Sequence, residues 1–451
     1  MFSTMRNAWK IADLRKKILF TFLIILIFRI GAVIPVPFLD TTALKELFPS
    51  VTADSILSGA ADQSTNLFSY FNALSGDAFS RATLFAMSVT PYINSSIIMQ
   101  LLTVAIPALE RLSKEGEEGR KKIGSITRYV TVLLAVIQGI AYYIYLRNAS
   151  SPTSNAPLQV IKYATGWEAW FTGIIIVLCL TAGSALMMWL GEQINESGIG
   201  NGISILLFAG ILSRLPSTVQ LLIQYLRAGS QQAVYYLLVP LVILLFLAMV
   251  AFIVILNDAE RRIPVQYAKR VVGRRIYGGQ ASHMPIKVNM SGVLPIIFAS
   301  TILSIPSTVQ MFVKNPSPFW QGFFNAFSPR GWLYGVLYFV LIIAFSYFYV
   351  SIEYNPVEMA NNLKRNSGAI PGYRPGKPTA DFIKRVISKV ILMGALFLGV
   401  IAILPIIFTA VTKMNVTLGG TSLMIVVGVA LETIRQIESQ MMMRHYKGFL
   451  E

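Results

Sequence analysis

The feature that most constrains this chain is a series of long apolar runs, several of which are long enough to cross a lipid bilayer. A hydrocarbon core about 30 Å thick takes about 20 consecutive apolar residues in a helix. Of the 451 residues, 55% are hydrophobic and only 13% are charged, which is more apolar surface than a water-soluble fold of this length can hide. We therefore predict an all-α polytopic membrane protein.

The runs and the breaks between them predict ten transmembrane helices, of which the fifth is short and is opened by the sequence GIGNG. The first follows a basic amphipathic segment, residues 1–17, and no small-residue cleavage site comes after it. We therefore expect it to be a retained span rather than a signal peptide. The predicted helices lie approximately at 18–36, 79–105, 123–146, 168–190, 200–213, 233–256, 289–311, 331–352, 390–408 and 416–434.

The distribution of lysine and arginine predicts the orientation. With residues 1–17 in the cytoplasm, the inner segments carry 27 of the 38 basic residues and the outer segments carry 8, while Arg29, Arg81 and Arg128 lie within predicted spans. Cytoplasmic loops of membrane proteins carry the excess of positive charge. We therefore expect both ends of the chain, including the tail at 435–451, to be cytoplasmic.

Two long cytoplasmic loops, 257–288 and 353–389, carry seven basic residues each. The first predicts a basic hairpin, and the second predicts a shaped loop that starts with a short helix. The charges could serve orientation alone, but their number favours docking surfaces for acidic or phosphate-bearing partners. Because arginine makes paired hydrogen bonds to such groups, the candidate docking residues are Arg274, Arg275 and Arg374.

A weak internal repeat relates the second and seventh spans. Aligned at Pro91 and Pro295, PYINSSII and PIIFASTI share a proline, two isoleucines and a serine. We interpret them as corresponding helices of two five-helix halves, residues 18–213 and 233–434. An odd number of spans in each half makes the halves inverted in the membrane.

The same two spans carry a modest set of polar residues. Small polar residues commonly form hydrogen bonds between membrane helices, and from the sequence alone that interpretation is favoured. The alternative is a seam whose two walls separate. The set is Asn94, Ser95, Ser96, Gln100, Ser300, Thr301 and Ser304.

The motifs of common enzyme classes are missing. The sequence contains no H-E-x-x-H, no G-x-S-x-G and no Walker loop, and its lone Cys179 excludes a disulfide framework and a cysteine-based metal site. We expect no catalytic residue, no cofactor and no metal. The scarcity of acidic residues in the spans argues against an ion-coupled transporter. A solute facilitator, or an ion channel with a re-entrant helix, remains an alternative.

Several segments together resemble the SecY family, the channel subunits of bacterial preprotein translocases. They are FRIGAVIPVP, TPYINSSIIMQLLTV, KEGEEGRKKI, MWLGEQINESGIGNGISILLFAGI, YAKRVVGRRIYGGQASHMPIKVNMSGVLPIIFASTIL, NNLKRNSGAIPGYRPG and LGGTSLMIVVGVALE. The resemblance covers nearly the whole chain. It implies an hourglass pore between two inverted halves, which passes unfolded preproteins and releases apolar segments sideways into lipid.

The resemblance also implies roles for single residues. The apolar ring at the waist of the pore would be Val89, Ile93, Ile203, Leu207, Ile297 and Ile425, with Val89 and Leu207 standing where the family usually has isoleucine. The stretch NLFSYFNALSGDAF at 66–79 would be the plug, a short helix in the outer funnel, with apolar residues Leu67, Phe68, Tyr70, Phe71 and Leu74. The lateral gate, between helices two and three and helices seven and eight, would include Asn94, Ser96, Gln100, Ser300 and Thr301.

The partners implied by the resemblance are the membrane subunits SecE and SecG, the motor ATPase SecA, the ribosome, the unfolded preprotein with its signal peptide, and membrane lipid. The two basic loops would receive the motor and the ribosome. The implied location is the plasma membrane of a bacterium, with a multi-pass topology.

Overall fold

The computed structural model describes most of the chain, and the structural findings concern that part. The described residues are 6, 8–47, 72, 75–148, 159–163, 166–230, 232–267, 270–272, 275–277, 281–310, 317–327, 332–412, 414 and 420–447.

The helices of the first half pack around separate buried apolar clusters. They are α1 (Ala12–Gly31), α2 (Thr41–Leu47), α3 (Thr90–Ala105), α4 (Pro107–Lys114), α5 (Glu117–Arg147), α6 (Gly166–Ser197), α7 (Gly202–Leu212) and α8 (Leu215–Ala228). Helix α3 packs along α5, α5 packs along α6, and α7 contacts α1 and α6.

The second half adds two small sheets to its helices. The helices are α9 (Val234–Asp258), α10 (Leu294–Gln310), α11 (Pro318–Ala326), α12 (Trp332–Glu353), α13 (Pro356–Arg365), α14 (Lys377–Thr412) and α15 (Gly420–Lys447). The strands are β1 (Glu260–Tyr267), β2 (Arg270–Val272), β3 (Arg275–Tyr277), β4 (Ala281–Lys287) and β5 (Gly368–Ala369). Strands β4, β1 and β5 form one sheet, and strands β2 and β3 form the other. Helix α10 packs along α12, and α12 packs along α14.

Seven helical segments among the described residues are long and apolar enough to cross a membrane, or eight if the pair α3 and α4, bent by 101°, counts as one. They are Glu117–Arg147, Gly166–Ser197, Gly202–Ala228, Val234–Asp258, Leu333–Arg365, Lys377–Thr412 and Gly420–Met442. Each of the ten predicted spans overlaps a described helix. The number of ten membrane crossings stays a prediction.

The prediction for the second span is wrong over its first part. The sequence predicted a helix from residue 79, but residues 75–89 form a run of turns, which we call the collar, and α3 begins at Thr90. The reason is backbone conformation, because Asp77, Ala82 and Ser88 have φ values of 69°, 46° and 50°. Left-handed residues of this kind interrupt a right-handed helix. Arg81, predicted to lie in a span, therefore lies in the collar and is exposed.

The collar is held by its neighbours on two sides. The backbone N–H of Val36 donates to the carbonyl of Ala82 at 3.0 Å, and the N–H of Leu84 donates to the carbonyl of Ile34 at 2.9 Å. On the other side, a Cβ atom added at Gly183 of α6 would lie 2.0 Å from the carbonyl oxygen of Leu84. A glycine is therefore needed where α6 passes the collar.

The short fifth span begins where two asparagines satisfy backbone donors. The side chain of Asn195 accepts from the N–H of Gly202 at 2.8 Å, and that of Asn201 caps α7 by accepting from the N–H of Ser204 at 3.2 Å. Such capping gives a hydrogen-bond acceptor to backbone N–H groups at the start of a helix, which have no partner within the helix. Helix α7 has 11 residues, and α8 follows it after a short break.

The two long loops form one body. Strands β1 and β4 pair antiparallel from Glu260↔Lys287 to Gln266↔Ala281, which confirms the predicted hairpin. Strand β5 of the second loop pairs with the other edge of β1 at Gln266↔Ala369. The predicted short helix of that loop is α13.

The second loop is shorter than predicted, because α14 begins at Lys377 rather than near residue 390. This helix has 36 residues and is therefore about 54 Å long, which exceeds a hydrocarbon core of about 30 Å. Its first turns pack beside the sheet, where Ile383 lies in one buried cluster with Ile263, Ile286 and Ile370.

Candidate functional site

The six residues of the predicted apolar ring come together in one cluster of side chains. Val89, Leu207 and Ile425 are buried, with exposed fractions of 1%, 3% and 3%. Ile93, Ile203 and Ile297 are partly buried and pack against the same cluster. The six come from the start of α3, from α7, from α10 and from α15, so that both halves of the chain contribute.

Helix geometry explains how two of these elements present paired side chains. Val89 precedes α3 and accepts through its carbonyl the N–H of Ile93 at 3.0 Å, so the two residues are one turn apart. Ile203 and Leu207 are also four residues apart on α7, just after the cap at Asn201. Residues four apart lie on the same face of a helix. Each helix therefore offers two apolar side chains to the cluster.

The chemistry of the six side chains is uniform. They are aliphatic and branched, and none has a group that donates or accepts a hydrogen bond. An apolar constriction of this kind resists ions, because an ion must shed its hydration to pass. It also offers a passing polypeptide no hydrogen bond that would retain it.

The predicted lateral gate lies on helices that pack in two pairs. Within the first pair, the buried hydroxyl of Ser95 on α3 donates to the carbonyl of Thr127 on α5 at 2.8 Å. Within the second pair, the rings of Phe298 on α10 and Phe345 on α12 meet edge to face with centroids 5.7 Å apart.

The polar residues of the gate differ in their surroundings. The Oδ1 atom of Asn94 is buried and has no hydrogen-bond partner among the described residues. Ser300 and Ser304 donate to carbonyls of their own helix, at Ile297 (2.9 Å) and Thr301 (2.7 Å). Ser96, Gln100 and Thr301 are partly buried.

The predicted plug residues Leu67, Phe68, Tyr70, Phe71 and Leu74 lie outside the described residues. The turn at the end of the predicted plug is described, and hydrogen bonds hold it tightly. Gly76 has a φ of 64°, as expected for a turn before the second span. The side chain of Asn72 donates to Asp77 Oδ1 at 3.2 Å and accepts from the N–H of Ser80 at 3.1 Å.

An ion pair fastens this turn to the end of the fifth span. Asp77 Oδ1 lies 2.9 Å from Arg214 Nε, and only 21% and 10% of the two side chains are exposed. The contact is an ion pair without the alignment of a hydrogen bond. Sequence reasoning missed it, since Arg214 was counted only as an outer basic residue. No local pattern links two charges on separate segments.

A second ion pair joins two helices of the first half. Arg128 Nε on α5 lies 2.7 Å from Glu192 Oε1 on α6. The predicted fourth span stopped at residue 190, but α6 continues to Ser197 and so includes Glu192. The spans are therefore less free of acidic residues than predicted. Within the described residues no group of histidine, cysteine, aspartate or glutamate is suited to hold a metal ion.

Of the three predicted docking residues, Arg374 follows strand β5 of the three-stranded sheet, and Arg275 lies in the separate two-stranded sheet. Arg374 is exposed, and its carbonyl accepts the hydroxyl of Thr379 at 2.8 Å, which fixes the loop to the start of α14. Arg275 lies in β3, opposite Val272, while Arg274 is outside the described residues. Because β5 pairs with β1, the loop of Arg374 and the hairpin belong to one rigid surface.

Comparison with known proteins identifies over most of the chain the family that the sequence motifs resemble. The sequence profile of the family described as SecY matches residues 83–434. The curated relatives include the protein translocase subunits SecY of Mycobacterium bovis and Thermotoga maritima. They are each 41% identical to this chain, over 100% of this chain and 100% and 98% of their own lengths. The corresponding subunit of Streptomyces scabiei is 42% identical over 100% of both chains.

Solved structures share the fold. One, described as a protein conducting channel, has a TM-score of 0.63 at 17% identity, covering 94% of this chain and 92% of that chain. Another, of a SecY channel whose plug domain is described as stabilising the closed state and maintaining a membrane seal, has a TM-score of 0.60 at 17% identity with the same coverage. A Sec61 channel from a canine ribosome–channel complex has a TM-score of 0.57 at 15% identity, covering 94% of this chain and 92% of that chain.

Proposed function

This chain belongs to the SecY family of protein translocase subunits, and on that premise we propose how its residues conduct an unfolded polypeptide and seal the path when it is idle. It is a membrane-spanning, protein-conducting channel subunit. It is not an enzyme, so the energy for translocation comes from outside the chain.

The observation that carries the proposal is the convergence of six aliphatic side chains from both halves of the chain. We assign them to the waist of the pore, where they keep out ions by dewetting and pass polypeptides without regard to sequence. Because the two halves contribute separately, movement of one half against the other widens the waist. The competing explanation is that the cluster is ordinary packing core.

The plug adds a second barrier on the outer side. Residues 66–79 supply it, and the collar with the Asp77–Arg214 ion pair supports the proposal by giving its end a fixed attachment. The last residues of this segment, from Ser75 onward, belong to the collar, which is held against α6 and α7. The plug domain of the solved SecY structure is described as stabilising the closed state and maintaining a membrane seal, and we extend that role to residues 66–79 of this chain.

The lateral gate opens between the pair α3–α5 and the pair α10–α12. The internal contacts of each pair, at Ser95 and at Phe298, support movement of each pair as a unit. The Oδ1 of Asn94, buried and without a donor in the part of the chain that the structure describes, lowers the stability of the described state, because such an acceptor is unfavourable. A signal peptide or water reaching Asn94 would satisfy that acceptor and favour opening.

The surface formed by the sheet and the loop of Arg374 is the proposed docking site for the motor ATPase SecA and for the ribosome. Two of the solved relatives are ribosome-bound channels, of canine Sec61 and yeast Ssh1. Arg275 and Arg374 provide planar cations for acidic side chains or phosphate. The membrane subunits SecE and SecG are the further partners that we propose.

The location follows from the charge distribution. The sheet, the loop of Arg374 and both ends of the chain lie in the cytoplasm, and ten helices cross the plasma membrane of a bacterium. The collar and helix α11 then lie on the outer side.

The function is tested by reconstitution. The purified chain with SecE, SecG and SecA in vesicles should protect an added preprotein from external protease in the presence of ATP. A solute facilitator would instead admit small solutes without any preprotein. An ion channel with a re-entrant helix would conduct ions steadily in the idle state. Either result without protected preprotein would contradict the proposal.

A further inference from the structure

The short helix α11 has an unusual composition for a loop between two spans. Its sequence is PFWQGFFNA, with four aromatic residues and no charge. At nine residues it is about 14 Å long, too short to cross a bilayer.

The aromatic residues form one connected group. The ring centroids of Trp320 and Phe323 are 5.8 Å apart, and those of Phe323 and Phe327 are 4.7 Å apart. At about 100° per residue, the aromatic positions 319, 320, 323 and 324 fall within about 140° of the circumference. Gln321 and Gly322 lie on the opposite side. The helix is therefore amphipathic without being charged.

Among the described residues, protein covers one edge of the aromatic face and leaves the other exposed. Phe324 is 4% exposed, and Phe327 packs against the buried cluster of α10 and α12. At the other edge, Phe319, Trp320 and Phe323 are 78%, 51% and 38% exposed.

The uncovered edge belongs to a larger apolar surface. Helix α11 contacts both α10 and α12. Large aliphatic side chains near the ends of those helices that adjoin α11 are also exposed, namely Ile305 and Val309 on α10 and Val336 on α12. In membrane helices such side chains face lipid.

We propose that α11 is an interfacial anchor, which lies at the outer surface of the bilayer with Phe319, Trp320 and Phe323 among the lipid headgroups. Tryptophan and other aromatic residues prefer this zone, and amphipathic helices lie in its plane. The occupant is lipid rather than a protein because the exposed rings continue the lipid-facing sides of α10 and α12. The inference rests on the proposed topology, which puts α11 on the outer side.

The position of the anchor beside α10 and α12 affects how the proposed lateral gate moves. Helices α10 and α12 form one wall of the proposed lateral gate, and α11 is the segment between their outer ends. An anchor at this point holds the wall at a fixed depth while the opposite wall, α3 and α5, moves.

Tryptophan fluorescence tests the anchor directly. The chain has six tryptophans, and replacing all but Trp320 with phenylalanine leaves a single reporter. In the translocase reconstituted in phosphatidylcholine vesicles, the tryptophans of the partner subunits are replaced by phenylalanine as well. Lipids brominated near the headgroup should then quench Trp320 at least about twofold more than acrylamide does, when the quenching by each agent is scaled to its quenching of free indole. Strong quenching by acrylamide with none by brominated lipid would overturn the proposal.

A matched control moves the reporter by one residue. The pair of changes Trp320→Phe and Gln321→Trp places the indole on the opposite side of the helix, where acrylamide should quench more strongly than brominated lipid. Equal lipid quenching at both positions would contradict the orientation that we assign to the helix.

Two further measurements distinguish a wrong topology from a wrong location of the helix, and cover the case in which the single-tryptophan protein does not fold. Iodide added outside right-side-out membrane vesicles should quench the reporter at position 321. Quenching by iodide on the cytoplasmic side alone would overturn the proposed topology. The interfacial location of the helix would still be supported in that case. If the single-tryptophan protein does not fold, a nitroxide at Phe323→Cys in a Cys179→Ser background replaces it. Collision of that label with oxygen rather than with a water-soluble nickel complex supports the anchor, and the reverse overturns it.

Discussion

The carboxylate of Asp77 lies 2.9 Å from the guanidinium of Arg214, and this ion pair ties the turn at the end of the proposed plug to the end of the fifth predicted span. The pair is mostly shielded from water, and Arg214 is only 8% exposed as a residue. Its position makes it the attachment point of the outer barrier that we propose. Removal of either charge leaves the other shielded and unpaired, which is more costly than removal of both.

The change Asp77→Asn should therefore destabilise the collar by about 1–3 kcal/mol and raise the idle ion leak, because the end of the plug loses its attachment. The double change Asp77→Asn with Arg214→Gln should be less destabilising than the sum of the two single changes. Thermal unfolding and bilayer conductance of all three variants measure this coupling. Additive effects would show that the pair is not coupled.

The change Gly183→Ala should disturb the collar through packing alone. Its new Cβ would lie 2.0 Å from the carbonyl oxygen of Leu84, so the collar or α6 must shift, at a cost of about 1–3 kcal/mol. Gly124→Ala on α5 is the matched control, since nothing lies within 4 Å of a Cβ there. The unfolding temperature should fall in the first variant only. Equal temperatures in the two variants would refute the tight contact.

The change Asn94→Leu should stabilise the described state of the gate, because it removes a buried acceptor that has no donor among the described residues. We expect a gain in stability of about 1 kcal/mol or more and slower transport of preproteins with weakened signal peptides. Ser95→Ala should lower the stability by about 0.6 kcal/mol without shifting the gate, because the hydrogen bond to Thr127 that it removes lies within one wall. Transport assays with strong and weak signal peptides distinguish the two variants. Unchanged selectivity in Asn94→Leu would argue against its role in the gate.

The change Arg374→Glu should block motor-driven translocation while the protein stays folded and inserted, because the exposed side chain stands on a loop fixed by Thr379. Arg365→Glu is the matched control, an exposed arginine at the end of the neighbouring helix α13. Protease protection of a preprotein measures transport in both variants. Normal transport in Arg374→Glu, or an equal loss in Arg365→Glu, would count against a specific docking role.

The sequence was sufficient for the features that depend on local pattern. Long apolar runs predicted where the helices lie, and the alternation around Ile263 and Val265 predicted the hairpin. The resemblance to a family supplied the six ring residues, which the structure brings into one cluster. Local pattern suffices for the helices and the hairpin because it reflects short-range constraints. Family motifs suffice for the ring residues because they reflect constraints shared by the whole family.

The features that were missed depend on contacts between distant segments. The collar has the apolar composition of a helix, but Asp77, Ala82 and Ser88 adopt a left-handed backbone conformation that a helix cannot contain. The contacts of the collar with α6 and with residue 34 explain this conformation. The early start of α14 depends on packing beside the sheet. The pairing of β5 with β1 likewise joins two loops that no sequence pattern links.

The central claim, that the apolar cluster is the seal of a pore, is tested most directly by single-channel recording in planar bilayers. The variants are Ile93→Asn, Ile203→Asn, Ile297→Asn and Ile425→Asn, and the matched control is Ile98→Asn, at an exposed position of α3. Each ring variant should fold, insert and show a raised idle conductance, because a polar waist no longer dewets. The control should stay as tight as the parent. Ring variants that fold and insert but conduct no more than the parent would contradict the account. Ring variants that misfold, as expected for residues of an ordinary packing core, would contradict it as well.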